Sequence, residues 1–161
     1  DAIHALLARL SWLEETDPEH IAAGWVPDPS LDDAVRRDAL VQFRRLFEKP
    51  EIRMAFHRPS KPVWLWREMP FEWAENEEWI SGIFDRVVVR LDSTGKPSEA
   101  EILDYKSARV ETPGDATRAA EPYRPQMQLY RRALAGLLGL PPSRISVRLL
   151  FTRPGVFVPV F

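Results

Sequence analysis

Alternating apolar and polar residues predict strands in the middle of the chain. Residues 63–73 are rich in aromatic and β-branched side chains, and an acidic turn at 75–78 leads to a second strand over roughly 79–91. A polar turn at 92–97 leads to a third strand that ends at Lys106. These three segments predict an antiparallel meander.

Helical spacing of apolar residues precedes the meander. Residues 2–13 combine strong helix formers with apolar positions at this spacing, which predicts a mostly buried helix. Two further helical stretches follow before Pro50, and Ser30 or Asp32 can cap the second of them. The first third of the chain is therefore expected to be helical.

The last third is predicted to hold one helix and two strands. Residues 107–122 are expected to form a long polar loop, and a helix follows to Leu138. Two strands are predicted at 145–151 and 156–160, with Pro159 favouring an edge position. The element order predicts an α/β fold, a central mixed sheet flanked by helices, with a helical segment at its N-terminal end.

Composition places the chain among ordinary globular domains. Its 161 residues are 45% hydrophobic and 29% charged, and no apolar run approaches the roughly 20 residues of a membrane span. We expect one domain over 1–161, with a helical segment at 1–60 and a sheet-containing core at 61–161. The chain starts with Asp1 rather than Met, which suggests a piece of a longer protein.

Charge and cysteine content restrict the chemistry. The absence of cysteine excludes disulfides, thiolate metal sites and cysteine-ligated iron-sulfur clusters, so any metal would be held by oxygen or imidazole. The net charge of -2 is uneven, because residues 105–161 carry nine Lys or Arg against three Asp or Glu. This excess predicts a local basic surface near the third strand, although a set of solvated arginines is the alternative.

Charged residues interrupt the apolar faces of two predicted strands. Alternation puts Asp85 on the same face as three apolar residues, which are Ile83, Val87 and Val89. The same period puts Asp104 and Lys106 together with Ile102. Because a lone buried carboxylate costs several kcal/mol, a partner or a cation must offset that cost.

Two carboxylates on adjacent strands can hold Mg²⁺, which prefers oxygen ligands. Lys106 could then orient a water molecule or stabilise charge that develops on a phosphoryl group. The alternative is a surface ion pair between Asp104 and Lys106, with Asp85 paired to Arg86 or another arginine.

Three motifs that follow one another along the chain make the metal-site interpretation more specific. Residues 82–86 read Gly-Ile-Phe-Asp-Arg, residues 102–106 read Ile-Leu-Asp-Tyr-Lys, and Tyr123-x-x-Gln126-x-x-x-Tyr130 follows. In these motifs the chain resembles the nuclease domain of the RecB and AddA helicase-nucleases, within the PD-(D/E)XK superfamily. An N-terminal histidine and a final strand at 149–153 extend the resemblance over most of the chain.

The resemblance implies a restriction-endonuclease-like core and a magnesium-dependent deoxyribonuclease, with Mn²⁺ as a possible substitute and no iron-sulfur cluster. It implies His4, Asp85, Asp104 and the main-chain carbonyl of Tyr105 as metal ligands. The catalytic residues would be Asp85, Asp104, Lys106, Gln126 and Tyr130. A glutamate resembling Glu68 also occurs in these domains, and the roles of Glu68 and Tyr123 stay open.

The resemblance also implies biological context. The substrate would be single-stranded DNA or duplex ends, and the domain would be the exonuclease module of a helicase that repairs double-strand breaks in the bacterial cytoplasm, at the nucleoid. Its partners would be helicase domains of the same polypeptide and a second helicase-nuclease subunit, with no membrane. One alternative is a catalytically inactive nuclease fold that binds DNA ends or a protein partner, and another is an α/β interaction domain with surface acids.

Overall fold

The computed structural model describes residues 1–161 and contains one five-stranded sheet in the order β1-β2-β3-β4-β5. Neighbouring strands are antiparallel except β3 and β4, which are parallel. The predicted meander, mixed sheet and edge position of Pro159 are confirmed. The strands are β1 (Val63–Glu75), β2 (Glu78–Leu91), β3 (Pro97–Lys106), β4 (Ile145–Phe151) and β5 (Val156–Pro159).

Six α-helices cover the two faces of the sheet, and two short 3-10 turns lie at Glu121–Tyr123 and Pro142–Arg144. The helices are α1 (Ala2–Ala8), α2 (Pro18–Gly24), α3 (Asp33–Leu46), α4 (Pro50–Phe56), α5 (Pro113–Ala120) and α6 (Arg124–Leu138). No helix has the length and apolar character needed to cross a membrane.

One predicted helix boundary is wrong, and two helices were not predicted. The first helix ends at Ala8 rather than near residue 13. A short helix, α4, was not predicted after Pro50, and the expected loop over 107–122 contains α5. In α5 the Thr112 side chain caps the backbone N–H of Asp115 and a proline occupies the first turn, so a polar stretch still forms a helix.

Two apolar cores lie on opposite faces of the sheet. The α6-side core lies under α5 and α6, and its strand residues include Phe84, Val87, Val89 and Ile102. The α1-side core joins α1–α4 to the other face through Leu103, Tyr105 and Leu150. Successive residues of β3 therefore enter different cores, as the predicted alternation requires.

The hairpin of β1 and β2 projects beyond the rest of the sheet, because β2 pairs with β3 only from Arg86 onward. One side of this projecting part packs on α6. Phe71 and Phe84 contact the ring of Tyr130, and Trp73 lies against Gly136, where an added Cβ would meet the indole at 2.2 Å. Helix α6 thus supports the hairpin beyond the end of β3.

The predicted face of Asp85 is wrong. Phe84, not Ile83, belongs to the α6-side core with Val87 and Val89, and Ile83 is 50% exposed. The alternation of inward and outward side chains breaks where β2 leaves β3. At this place Glu68 of β1 lies opposite Asp85, has no partner in the register, and adopts φ 48°. The irregular backbone turns Asp85 out of the α6-side core.

Arg86 lies on the face of the sheet that α1–α4 cover, and it links these helices to the sheet. Its side chain is 0% exposed, and it donates to the carbonyl of Leu10 at 2.7 Å and to the carbonyl of Ser11. The guanidinium also stacks over the rings of Trp12 and Phe56. Arg86 therefore does not pair with Asp85, which removes one alternative for that carboxylate.

Candidate active site

Asp85 lies at the point where β2 separates from β3. The last paired residues are Arg86 and Leu103, so the backbone N–H of Tyr105 has no acceptor on β2. Asp85 Oδ2 accepts this N–H at 2.7 Å. A side chain thus replaces a strand carbonyl, and the carboxylate is held beside the C-terminal end of β3.

His4 on α1 contacts the same end of β3 from the side of the sheet that α1–α4 cover. Its Nε2 lies 2.9 Å from the carbonyl oxygen of Tyr105 and 3.5 Å from Asp85 Oδ2. Its Nδ1 lies 3.5 Å from the carboxylate of Asp1. Burial lowers the pKa of His4, but the hydrogen bond and charge of Asp85, with smaller effects of the Tyr105 carbonyl and Asp104, raise that pKa above its ordinary value.

Asp104 and Lys106 occupy the α6 side of the same strand end. Asp104 is 6% exposed, and Lys106 Nζ lies 2.7 Å from its Oδ2. This contact is a short ion pair, and both side chains are largely buried. Burial, followed by the charge of Asp85, raises the pKa of Asp104 despite Lys106.

Residues of α6 and the turn before it border this pair. Lys106 Nζ lies 4.2 Å from the centre of the Tyr123 ring, a cation–π contact. The Tyr130 hydroxyl lies against Gly82, where an added Cβ would meet it at 2.4 Å. Burial and the charge of Asp104 raise the pKa of Tyr130. Gln126 is exposed one turn before Tyr130.

The structure therefore brings together His4, Asp85, Asp104, the Tyr105 carbonyl and Lys106, with Tyr130 and Tyr123 at the border. Glu68 is exposed in β1 opposite Asp85, across the break in pairing.

Two buried polar residues that the sequence did not single out fix the end of β3. The backbone N–H of Thr152 donates to the carbonyl of Lys106 at 3.0 Å, and its hydroxyl donates to Gln42 Oε1 at 2.9 Å. Gln42 in turn donates to Asp38 at 2.7 Å. Both Thr152 and Gln42 are buried. The only sequence signal for them is a polar residue among the apolar positions of α3 and another directly after β4.

The family comparison agrees with this arrangement. The family model of the PD-(D/E)XK nuclease superfamily matches residues 1–157. The chain belongs to the PD-(D/E)XK nuclease superfamily. The predicted fold class, a restriction-endonuclease-like core with a mixed sheet and flanking helices, is thereby confirmed. A comparison with curated proteins found no match.

PD-(D/E)XK nucleases typically use divalent metals such as Mg²⁺. No three His, Asp or Glu side chains of the chain form a ready metal cluster. Lys106 lies against Asp104, and His4 lies against the Tyr105 carbonyl. The available donors nevertheless fit such an ion. The charge of Asp85 helps to raise the pKa of the buried Asp104 carboxyl group, and it also helps to raise the pKa of His4. Both features indicate a place that favours positive charge.

Proposed function

We propose that this PD-(D/E)XK protein is a metal-dependent deoxyribonuclease that hydrolyses phosphodiester bonds. The observation that carries the proposal is the convergence of Asp85, Asp104 and Lys106 where β2 separates from β3. Two carboxylates and an amine at one strand end match the needs of phosphoryl chemistry, in which developing negative charge must be stabilised.

Each residue has a distinct role in this proposal. Asp85, Asp104, a neutral His4 and the Tyr105 carbonyl would hold a Mg²⁺ or Mn²⁺ ion, which would supply Lewis-acid chemistry toward the phosphate and the attacking water. Lys106 orients the attacking water or stabilises charge on the phosphate. The Tyr123 ring keeps the ammonium group close to Asp104.

Helix α6 contributes the DNA-facing border of the site. Gln126 and Tyr130 lie four residues apart, so they share one side of the helix. Tyr130 lies between Gly82 and the Asp104 region, while Gln126 is exposed and free to bind a phosphate or sugar oxygen. We assign both residues to positioning the DNA backbone.

The RecB and AddA motifs support a helicase-linked setting. Gly82-x-x-Asp85-Arg86, Asp104-Tyr105-Lys106 and the α6 motif favour the exonuclease module of such an enzyme, acting in double-strand break repair. In this proposal residues 1–161 form one nuclease domain, and helicase domains of the same polypeptide or a second subunit deliver the DNA. The chain has no Gly-x-x-x-x-Gly-Lys-Ser/Thr motif, so cleavage by this domain would not need ATP.

Cleavage of end-labelled DNA tests the proposal. Wild-type protein with Mg²⁺ or Mn²⁺ is expected to cut single- or double-stranded DNA, and EDTA abolishes cleavage. Lys106→Ala is expected to lower kcat by about 10²–10³-fold, the usual effect of removing one group that stabilises transition-state charge. Lys96→Ala is the matched control, because Lys96 lies in the exposed turn before β3.

The products also separate the alternatives. Mononucleotides or short fragments from an end indicate exonuclease action, and internal cuts indicate an endonuclease. If wild-type protein leaves all substrates intact with either metal, the proposal is wrong. DNA-end binding without cleavage would then support an inactive nuclease fold.

A further inference from the structure

Arginine side chains gather beside the candidate site on the side of α1 and β1. Arg67 of β1 pairs in register with Arg86 of β2, the residue next to Asp85. Paired Cα atoms lie about 5 Å apart and successive ones about 3.8 Å, so the Cα atoms of Arg67 and Asp85 are within roughly 9 Å. The Arg67 side chain is exposed and donates to the carbonyl of Ala8 at 2.9 Å.

This contact places Arg67 at the end of the helix that carries His4. Ala8 lies one turn after His4, about 6 Å along the helix axis. Arg9 follows Ala8 and is exposed. Arg9 and Arg67 therefore border the same end of α1, next to the strand that supplies Asp85.

Arg9 and Arg67 have exposed side chains that are not engaged by a carboxylate. Arg9 and Arg67 form none of the ion pairs in the chain, in which eight other arginines take part. Arg86 is instead held by carbonyls and aromatic rings, and its burial keeps it away from any ligand. Two exposed guanidinium groups at one end of α1 can attract an anionic ligand.

We propose that Arg67 and Arg9 bind backbone phosphates of the DNA strand adjacent to the scissile phosphate. This inference rests on the proposed nuclease function and adds a path for the substrate, along α1 and the edge strand β1. Exposed arginines in this position contact the backbone and not the bases, so they bind strands of any sequence and make the affinity salt-dependent.

Fluorescence anisotropy with fluorescein-labelled oligothymidylate tests the inference, with Ca²⁺ in place of Mg²⁺ to measure binding apart from cleavage. Each of Arg67→Ala and Arg9→Ala is expected to weaken binding several-fold. Each is also expected to reduce the slope of log K against log salt by about 0.7, the value for one phosphate contact on a single strand. Arg67→Lys keeps the charge and should retain the slope.

Arg144→Ala is the matched control. Arg144 is exposed, forms no ion pair and precedes β4 at the opposite end of the sheet, roughly 20 Å from Lys106 at 3.3 Å per residue. The Arg144→Ala substitution removes the same charge and should leave the affinity for DNA and the salt slope unchanged. Equal slopes for wild type, Arg67→Ala and Arg9→Ala would overturn the inference, as would an equal loss in Arg144→Ala.

Cleavage with Mg²⁺, measured on the same proteins, distinguishes the two proposals. If wild-type protein cleaves DNA and the arginine variants bind as wild type does, only the phosphate path is wrong. If wild-type protein does not cleave DNA, the proposed function itself fails.

Discussion

At the scale of single residues, the buried carboxylate of Asp104 serves the proposed chemistry but lowers the stability of the folded protein. Asp104 is buried close to Asp85, and both burial and that neighbour raise its pKa. A carboxyl group whose pKa is higher in the folded state binds protons more readily there than in the unfolded chain. The stability that the protonated Asp104 contributes is therefore lost as the pH rises from about 4 through the folded pKa. At neutral pH, Asp104 is left as an unfavourable buried charge.

Asp104→Asn should consequently stabilise the metal-free protein while it abolishes cleavage. In EDTA at neutral pH we expect the Tm to rise by about 2–4 °C, which corresponds to about 1 kcal/mol in a domain of this size. Thermal unfolding measured at pH 4 and pH 7 checks the sign, because the gain should shrink at the lower pH. An unchanged or lower Tm at pH 7 would contradict this account of Asp104.

Gly82 shows a steric reason for the glycine in the Gly-x-x-Asp-Arg motif. Any Cβ at this position would lie 2.4 Å from the Tyr130 hydroxyl and 3.1 Å from the ring of Phe71. The glycine therefore allows α6 to approach β2 and to set Tyr130 beside the site.

Gly82→Ala is expected to destabilise the fold by about 1–3 kcal/mol, the usual cost of overpacking, and to lower activity because Tyr130 must move. Urea unfolding measures the first effect and DNA cleavage the second. Gly24→Ala is the control, because Gly24 has no atom within 4 Å of an added Cβ. A Gly82→Ala protein as stable and active as Gly24→Ala would show that the close contact does not matter.

At the scale of secondary-structure elements, α1 is important because it carries His4, yet it is only seven residues long. Isolated helices of this length are not stable in water, so tertiary contacts must hold α1. Its apolar residues enter the α1-side core, and Arg86 binds the carbonyls of Leu10 and Ser11 just after its end.

Arg86→Met should loosen this attachment. The substitution leaves the buried carbonyl of Leu10 without its donor, at about 1–3 kcal/mol, and also removes the donor of the partly buried Ser11 carbonyl. Urea unfolding should show the loss of stability, and hydrogen exchange should show faster opening of α1 than of β3. Arg90→Met is the control on the same strand, since Arg90 is exposed and its pair with Glu99 contributes at most about 1 kcal/mol. Equal effects of the two substitutions would argue against the role of Arg86.

Element type was more predictable from sequence than element boundaries. The strands of the meander and α6 carry long periodic patterns, and the structure contains them. In contrast, α5 begins within a polar stretch and depends on the Thr112 cap, and α1 ends five residues before its apolar pattern does. Local capping and tertiary contacts decide such ends, and an apolar pattern does not encode them.

At the scale of the whole molecule, the candidate site lies where three layers meet, which are the helices α1–α4, the sheet, and the helices α5 and α6. The α1-side layer supplies His4, the sheet supplies Asp85, Asp104 and Lys106, and the α6-side layer supplies Tyr130. The polar contacts of Thr152 and Gln42 then fix the end of β3 against α3. Three layers must therefore assemble before the groups come together.

The sequence by itself determined the mixed α/β fold, because periodic apolar residues reveal which segments can bury a face. It also singled out Asp85, Asp104 and Lys106, because carboxylates and an amine within apolar strands require compensation. Only the tertiary structure decided the orientation of Asp85, since that depends on where β2 leaves β3 and on the irregular backbone at Glu68. The meeting of His4 with Tyr105, 101 positions apart, likewise depends on long-range packing that no local pattern contains.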